Sequence, residues 1–157
     1  MVSGGEVNQA ELAAERTQAP GRPTTRIPAR GTILLVEDEA FVREITAEIL
    51  ESAGYRVLKA RNAVSAKGMF ERHGRTVQVL LTDVILPGQN GRDLAKELRI
   101  INPDLRVIFT SGYPENVATG KDSATTKMFY LPKPFSAESL LRKVWEVLGQ
   151  DLEEIAI

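Results

Sequence analysis

Five polar residues of the chain directly follow short apolar stretches with the composition of β-strands: Glu37, Asp38, Asp83, Ser111 and Lys133. In an open parallel sheet the carboxyl ends of the strands share one edge, and ligands bind in the crevice at that edge. Three carboxylates, a hydroxyl and an ammonium group would therefore converge there. Such a set can hold a divalent cation, accept a phosphoryl group and respond to its arrival, so it is the candidate site.

The three carboxylates suit Mg²⁺, which prefers oxygen ligands and binds one or two carboxylates together with water and phosphate oxygen. Carboxylates around one crevice repel one another unless a cation is present. Taken alone, Glu37 and Asp38 could be a solvated turn or a helix N-cap, and Asp83, before a Pro-Gly loop, could be a turn aspartate. Only the metal interpretation explains why all three acids occur at strand ends.

The Ser111 hydroxyl and the Lys133 ammonium group are candidate site groups because they are expected at the same sheet edge as the three acids. Ser111 by itself could simply begin a turn. Lys133 lies between two prolines, which hold the backbone extended and restrict the direction of the ammonium group. A lysine ammonium pairs well with a carboxylate or a phosphoryl group. Because carboxylates can act as nucleophiles that form aspartyl phosphates, Asp83 is a candidate acceptor.

Composition excludes several classes of function. The chain has 157 residues, a formal net charge of -1 and no cysteine. The near-neutral charge disfavours a broad basic surface for nucleic acid, and the lack of cysteine removes disulfides and thiolate chemistry. The start has no signal-peptide pattern, and no apolar run reaches the roughly 20 residues of a membrane span. We expect a soluble, cytoplasmic protein without a membrane segment.

The chain divides into three parts. Residues 1–30 are rich in Gly, Pro, Thr and Gln and predict a flexible leader or linker. From residue 31, short β-branched runs alternate with amphipathic stretches, which is typical of an α/β domain with a doubly wound, five-stranded parallel sheet. This domain is predicted over 31–149. Residues 150–157 form a short tail that is too small for an effector such as a DNA-binding domain.

The sequence pattern predicts five strands and five helices. The strands cover residues 32–36, 55–58, 77–82, 106–110 and 128–131. The helices cover residues 39–53, 63–72 and 92–101, a short and loosely packed helix within 115–126, and a last helix from the N-cap Ser136 to about Gly149. In the first helix the apolar spacing predicts an inward face made of Phe41, Ile45 and Ile49. In the last helix it predicts one made of Leu140, Leu141, Val144 and Leu148.

These motifs together resemble the receiver domain of two-component response regulators over residues 31–148. The acidic pair follows the first strand, Asp-Val-Ile-Leu-Pro-Gly-Gln-Asn-Gly the third, Ser-Gly the fourth, and Lys-Pro-Phe the fifth. They occur in the family's order and approximate spacing. The resemblance implies a flavodoxin-like (βα)5 fold with the strand order 2-1-3-4-5.

The resemblance also implies roles for the acids. Asp83 would be the phosphoacceptor and a ligand of Mg²⁺. Asp38 would bind the ion directly, Glu37 largely through water, and Ile85 through its backbone carbonyl.

Three further residues receive roles from the resemblance. Ser111 would hydrogen-bond a phosphoryl oxygen while Lys133 pairs with the phosphoryl group. Tyr130 matches the family's switch aromatic, which moves inward as Ser111 shifts.

The partners follow from the same resemblance. A histidine kinase or a histidine phosphotransfer protein would supply the phosphoryl group, and a downstream protein would bind the face built from residues 115–126, the fifth strand and the last helix. Phosphorylation-dependent homodimerisation through the last helix, with Trp145 as a contact, is a further candidate interaction. The protein would be a signalling domain that promotes its own phosphorylation and dephosphorylation, not a turnover enzyme. It would be either a stand-alone receiver or the C-terminal receiver of a hybrid histidine kinase.

Other classes fit less well. An aspartate-nucleophile phosphatase of the haloacid dehalogenase type would need a second Asp where this chain has Ile85. Neither a Gly-x-Gly-x-x-Gly motif nor a Walker loop is present, which disfavours a nucleotide-binding module. The only histidine, His73, lies among charged residues at a predicted helix end, so Ser-His-Asp chemistry is excluded in practice. A receiver-like interaction module without phosphotransfer stays open, although none of the expected acids and lysine is missing.

Overall fold

Five β-strands and four helices make up the part of the chain that the computed structural model describes, residues 30–112, 122–123 and 125–149. The strands are β1 (Thr32–Val36), β2 (Arg56–Ala60), β3 (Val79–Asp83), β4 (Arg106–Ser111) and β5 (Met128–Pro132). The helices are α1 (Ala40–Ser52), α2 (Ala63–His73), α3 (Gly91–Ile101) and α4 (Ala137–Leu148). Each of these elements lies within two residues of its predicted position.

All five strands are parallel and lie in the order β2-β1-β3-β4-β5, which confirms the predicted topology. The order reverses direction at β1, since β2 lies on one side of it and β3 on the other. At such a switch point the helices that follow the two strands leave on opposite faces, and a crevice opens at the carboxyl ends of the strands. The fold therefore places the candidate site between β1 and β3.

The sheet is covered on both faces. The apolar faces of α2 and α3 pack on one side, around Leu34, Leu80 and Phe109. Helices α1 and α4 pack on the other, around Ile33 and Leu81. Every residue of β1 and β3 is buried, as expected for central strands of a parallel sheet covered by helices on both sides.

The inward face of α1 differs from the prediction. Phe41 is 76% exposed and Ile45 is 41% exposed, while Ala47 and Leu50 are buried against the sheet. A strict i, i+4, i+8 spacing drifts by about 40° at each step around a helix of 3.6 residues per turn. Phe41 and Ile45 therefore lie on the outer side, and only Ile49, at the margin, packs partly against the core. The prediction was wrong for Phe41 and Ile45.

The last helix confirms its predicted ends. Ser136 caps α4 through its side chain, which accepts a hydrogen bond from the backbone N–H of Ser139. At the other end Gly149 has a φ of +71°, the left-handed conformation that glycine adopts readily. Leu140 and Val144 are buried as predicted.

Other predictions fall outside the described residues. These are the leader except Arg30, most of the predicted helix within 115–126, and the tail 150–157. The domain boundaries accordingly stay predictions. Of the described helices, none has the length and apolar character needed to cross a membrane.

The corrected face of α1 gives a testable contrast between two substitutions. We expect Leu50→Ala to lower the free energy of unfolding by about 2–5 kcal/mol, because it removes a fully buried side chain. Phe41→Ala should change it by less than about 0.5 kcal/mol, because that ring is mostly exposed. Urea denaturation of both variants measures these changes in the free energy of unfolding. A loss for Phe41→Ala as large as that for Leu50→Ala would contradict the observed orientation of the helix.

Candidate functional site

The predicted site residues lie together at the carboxyl edge of the sheet. They line a cleft of about 330 Å³ whose walls include Glu37, Asp38, Asp83, Ser111 and Lys133. Glu37 and Asp38 lie just beyond β1, and Asp83, Ser111 and Lys133 lie at or just beyond the ends of β3, β4 and β5. The convergence predicted from the strand ends is therefore observed.

Lys133 joins two strand ends through its ammonium group. Its Nζ lies 2.7 Å from Oε1 of Glu37 and 2.9 Å from Oδ1 of Asp83. Its backbone N–H donates to the carbonyl of Ser111, which extends the β4–β5 ladder to the lysine. The peptide bond that follows, to Pro134, is cis. One cation thus compensates two acids that are almost fully buried.

The pKa values reflect this balance between burial and charge. Burial raises the pKa of Glu37, and the neighbouring Asp83 charge adds to this, so the pKa lies above its ordinary value despite the hydrogen bond from Lys133. Burial acts to lower the pKa of Lys133, but its hydrogen bonds to Glu37 and Asp83 and their charges outweigh burial and raise it. Lys133 therefore stays charged at neutral pH.

A divalent cation fits the acidic group. Oxygen atoms from Glu37, Asp38 and Asp83 all lie within 4.8 Å of one another, and the donors are oxygens alone, as Mg²⁺ prefers. Both oxygens of Glu37 already have partners, since Oε1 accepts from Lys133 and Oε2 accepts from the backbone N–H of Glu39. This suits a contact to the ion through water for Glu37. Asp38 is exposed and lines the same cleft.

The loop after β3 fixes the backbone of Asp83. The N–H of Val84 donates to the carbonyl of Thr110, and the N–H of Gly91 donates to the carbonyl of Val84. A Cβ atom on Gly91 would lie only 2.0 Å from the carbonyl oxygen of Asp83, so a larger residue would push the start of α3 away. Ile85 lines the cleft with a side chain that is 56% exposed, and its carbonyl stays a predicted ligand.

Sequence reasoning missed Thr110, which contacts the carboxylate of Asp83. Its hydroxyl donates to Oδ1 of Asp83 at 2.5 Å, and both residues are buried. They are direct partners in the β3–β4 register. A polar residue within the apolar run that precedes Ser111 was the available signal.

Sequence reasoning also missed Arg92, which holds Tyr130. The Arg92 guanidinium lies 5.0 Å from the ring centre of Phe109 and 5.6 Å from that of Tyr130, and its Nη1 donates to the Tyr130 hydroxyl at 3.3 Å. Phe109 and Tyr130 are register partners on β4 and β5 and pack ring to ring. Because side chains alternate along a strand, Ser111 lies on the same face as Phe109. The candidate switch residues therefore share one face of the sheet.

The family model for the response regulator receiver domain matches residues 33–145. The chain belongs to this family. The family functions in two-component signalling, and the arrangement of the cleft agrees with a phosphoacceptor role.

Curated relatives and solved structures agree with this assignment. The sensor kinase CckA of Brucella abortus is 40% identical over 79% of this chain, which spans only 13% of that kinase. The receiver protein CpdR of the same organism is 32% identical over 74% of this chain and 95% of its own length. The crystal structure of the receiver domain of the hybrid histidine kinase CckA has a TM-score of 0.66 and 36% identity, over 75% of this chain and 99% of that one.

The raised pKa of Glu37 predicts how the receiver domain responds to removal of this charge. We expect Glu37→Gln to raise the melting temperature in EDTA at pH 7, because it removes a buried acid whose ionised form is disfavoured in the folded state. A group with a raised folded pKa contributes stability below its unfolded pKa and loses it as the pH rises through the folded value. The advantage of the variant should therefore shrink as the pH falls from 7 towards 4.5, the ordinary value, and be lost below it. Melting curves across pH test this.

The same variant tests the cation site. The rise in melting temperature caused by Mg²⁺ should be smaller for Glu37→Gln than for the wild type, because a ligand that binds only the folded state stabilises it less when its affinity is lower. The exposed Glu48, outside the cleft, provides the control as Glu48→Gln. If Glu37→Gln is less stable than the wild type in EDTA at pH 7, the ion pair between Glu37 and Lys133 outweighs the cost of burying the Glu37 carboxylate.

The Arg92 contact predicts that a substitution on α3 changes the state of the tyrosine on β5. Arg92→Ala should release the Tyr130 ring to solvent, because it removes a cation–π contact of about 0.5–2 kcal/mol and a hydrogen bond. Fluorotyrosine labelling measures this, with the Tyr130 resonance assigned from Tyr130→Phe. The exposed Lys96 on the same helix gives the control Lys96→Ala. An unchanged Tyr130 signal in Arg92→Ala would show that the ring is held by strand packing alone.

Proposed function

We propose that this receiver domain accepts a phosphoryl group from a phosphohistidine donor onto Asp83 and passes the signal to a partner protein. The observation that carries the proposal is the buried Asp83 carboxylate with the Lys133 ammonium at 2.9 Å, in a cleft with two more acids. In the transfer, a carboxylate oxygen of Asp83 bonds to phosphorus while the phosphorus–nitrogen bond of the donor breaks. The imidazole leaves and takes up a proton.

The residues of the cleft have separate roles in this transfer. Lys133 supplies positive charge for the phosphoryl oxygens, and the buried hydroxyl of Ser111 can donate to one of them. Mg²⁺ held by Glu37, Asp38, Asp83 and the carbonyl of Ile85 would neutralise further charge on the transferred group. The contacts of Lys133 with Asp83 and Glu37 hold the ammonium group beside the acceptor before the donor arrives, which lowers the cost of reaching the reactive geometry.

The proposed response follows from the added charge. Phosphorylation brings about -1.5 to -2 charges into a cleft where Lys133 already balances two acids. Lys133 and Ser111 would turn towards the phosphoryl oxygens. Ser111 shares its face of the sheet with Phe109 and Tyr130. A shift of Ser111 can therefore be accompanied by a movement of the Tyr130 ring.

The proposed readout face contains Tyr130, α4 and the segment after β4. Asp122 of that segment accepts a hydrogen bond from the Tyr130 backbone and pairs with Lys143 of α4 at 2.5 Å. These contacts connect the three parts of the face. A change at Tyr130 can therefore reach residues that a partner would bind.

The donor and context are also proposals. A histidine kinase or a histidine phosphotransfer protein would supply the phosphoryl group. Similarity to the CckA receiver supports the receiver of a hybrid kinase, and similarity to CpdR along almost its full length supports a stand-alone receiver. Homodimerisation through α4 at Trp145 and a cytoplasmic location stay predictions.

Intact mass spectrometry tests the proposed function. The wild type should gain one phosphoryl group with acetyl phosphate and Mg²⁺, and Asp83→Asn should gain none, because the amide is not a nucleophile of this kind. Asp93, an exposed carboxylate on α3, gives the control Asp93→Asn, which should be phosphorylated like the wild type. No gain in the wild type from acetyl phosphate or from a phosphohistidine donor would leave an interaction module without phosphotransfer. A gain in Asp83→Asn would refute the acceptor assignment.

A further inference from the structure

Two hydrogen-bond donors meet on one oxygen of the Asp83 carboxylate. Oδ1 accepts from the Thr110 hydroxyl at 2.5 Å and lies 2.9 Å from the Lys133 ammonium. Within the described residues, both contacts found for this carboxylate are on Oδ1. The two oxygens of the carboxylate are therefore not equivalent, since Oδ1 carries both of these contacts.

The contact with Thr110 is a consequence of strand register. Asp83 and Thr110 are opposite each other in the parallel pairing of β3 and β4, so their side chains leave the sheet on the same face. The hydrogen bond from Val84 N–H to the Thr110 carbonyl holds this register up to the end of β3. Thr110 is only 4% exposed, and a hydroxyl buried to this degree needs an acceptor within the protein.

We propose that Thr110 is a positioning residue that assigns the attack to Oδ2 of Asp83 and shortens the lifetime of the resulting aspartyl phosphate. The inference rests on the proposed function, since it takes Asp83 as the phosphoacceptor. Thr110 itself does not touch the phosphoryl group. It acts through the carboxylate oxygen that does not react.

The reason is a change of charge on the oxygen that accepts the Thr110 hydrogen bond. When Oδ2 bonds to phosphorus and the donor's phosphorus–nitrogen bond breaks, Oδ1 becomes the carbonyl oxygen of an acyl phosphate. The hydrogen bond from Thr110 then has a neutral acceptor in place of a charged one. Hydrogen bonds to charged acceptors are roughly twice as strong as those to neutral ones, so Thr110 favours the free carboxylate over the acyl phosphate.

Hydrolysis returns the charge to this oxygen. Water bonds to phosphorus, the bond from phosphorus to Oδ2 breaks, and inorganic phosphate and a proton are released. The leaving carboxylate gains negative charge during this step, and the Thr110 hydroxyl already points at Oδ1. Lys133 differs, because its ammonium group has three donors and can follow the charge to the phosphoryl oxygens.

The test compares two substitutions of Thr110. Thr110→Val removes the hydroxyl and keeps the shape, while Thr110→Ser keeps the hydroxyl. Each protein is phosphorylated with acetyl phosphate and Mg²⁺, separated from the donor, and followed by intact mass over time. The phosphoryl group should last about 3- to 10-fold longer on Thr110→Val than on the wild type, from the difference between charged and neutral acceptors. Thr110→Ser should match the wild type.

A second measurement is independent of phosphorylation. In the metal-free protein, the side-chain carboxyl ¹³C resonance of Asp83 should move in Thr110→Val and stay close to the wild-type position in Thr110→Ser. Thermal denaturation checks that both variants are folded, and Thr110→Ala replaces Thr110→Val with the same expectations if the valine variant does not fold.

Several outcomes would overturn the inference. Equal or faster loss of the phosphoryl group from Thr110→Val would do so, as would a Thr110→Ser variant that behaves like Thr110→Val, because packing of the methyl group would then be the cause. These results leave Asp83 as the acceptor. Failure of the proposed function is seen separately, in a wild type that gains no phosphoryl group or an Asp83→Asn variant that gains one.

Discussion

The ammonium group of Lys133 makes the rest of the site possible. Glu37 and Asp83 are almost fully buried at the ends of two adjacent strands, and buried acids without a counter-charge are strongly unfavourable. Lys133 lies within 3 Å of both and comes from beyond β5, which β4 separates from β3. The order of the strands is therefore coupled to the charge balance at their ends. A phosphoryl group that competes for this one cation disturbs several strand ends together.

The proposed phosphoacceptor and the proposed switch residues lie on opposite faces of the sheet. Side chains alternate along each strand, so Asp83 and Thr110 lie on one face at the strand ends. Ser111 lies on the other face with Phe109 and Tyr130, where the Arg92 guanidinium covers both rings. Thr110, which contacts the carboxylate, and Ser111, which shares a face with the aromatic pair, are thus adjacent residues of β4.

Agreement between the predicted and the observed structure differs between the strands and the helices. The apolar runs of β1 and β3 were predicted with nearly correct ends, because central parallel strands must be apolar on both faces. Helix α1 was placed correctly, but its inward face was not. Its buried side includes the small residues Thr46 and Ala47, which carry little apolar signal, whereas the large Phe41 is exposed. The predicted inward face followed the large side chains of α1. The prediction failed because the sheet beneath the helix is already apolar, so small side chains can form the buried side of the helix.

The sequence by itself determined the fold class, the strand order through a family resemblance, and the residues of the site, because each acid and the lysine directly follow a recognisable strand. The tertiary structure decided which atoms meet. It placed one lysine between Glu37 and Asp83, gave Oδ1 of Asp83 a second donor in Thr110, and set Arg92 over the tyrosine of β5. These contacts join residues that are 27 to 96 positions apart in the chain. Local sequence patterns specify the secondary-structure elements and their ends. Contacts between residues so far apart in the chain form only when strand register and helix packing are fixed together.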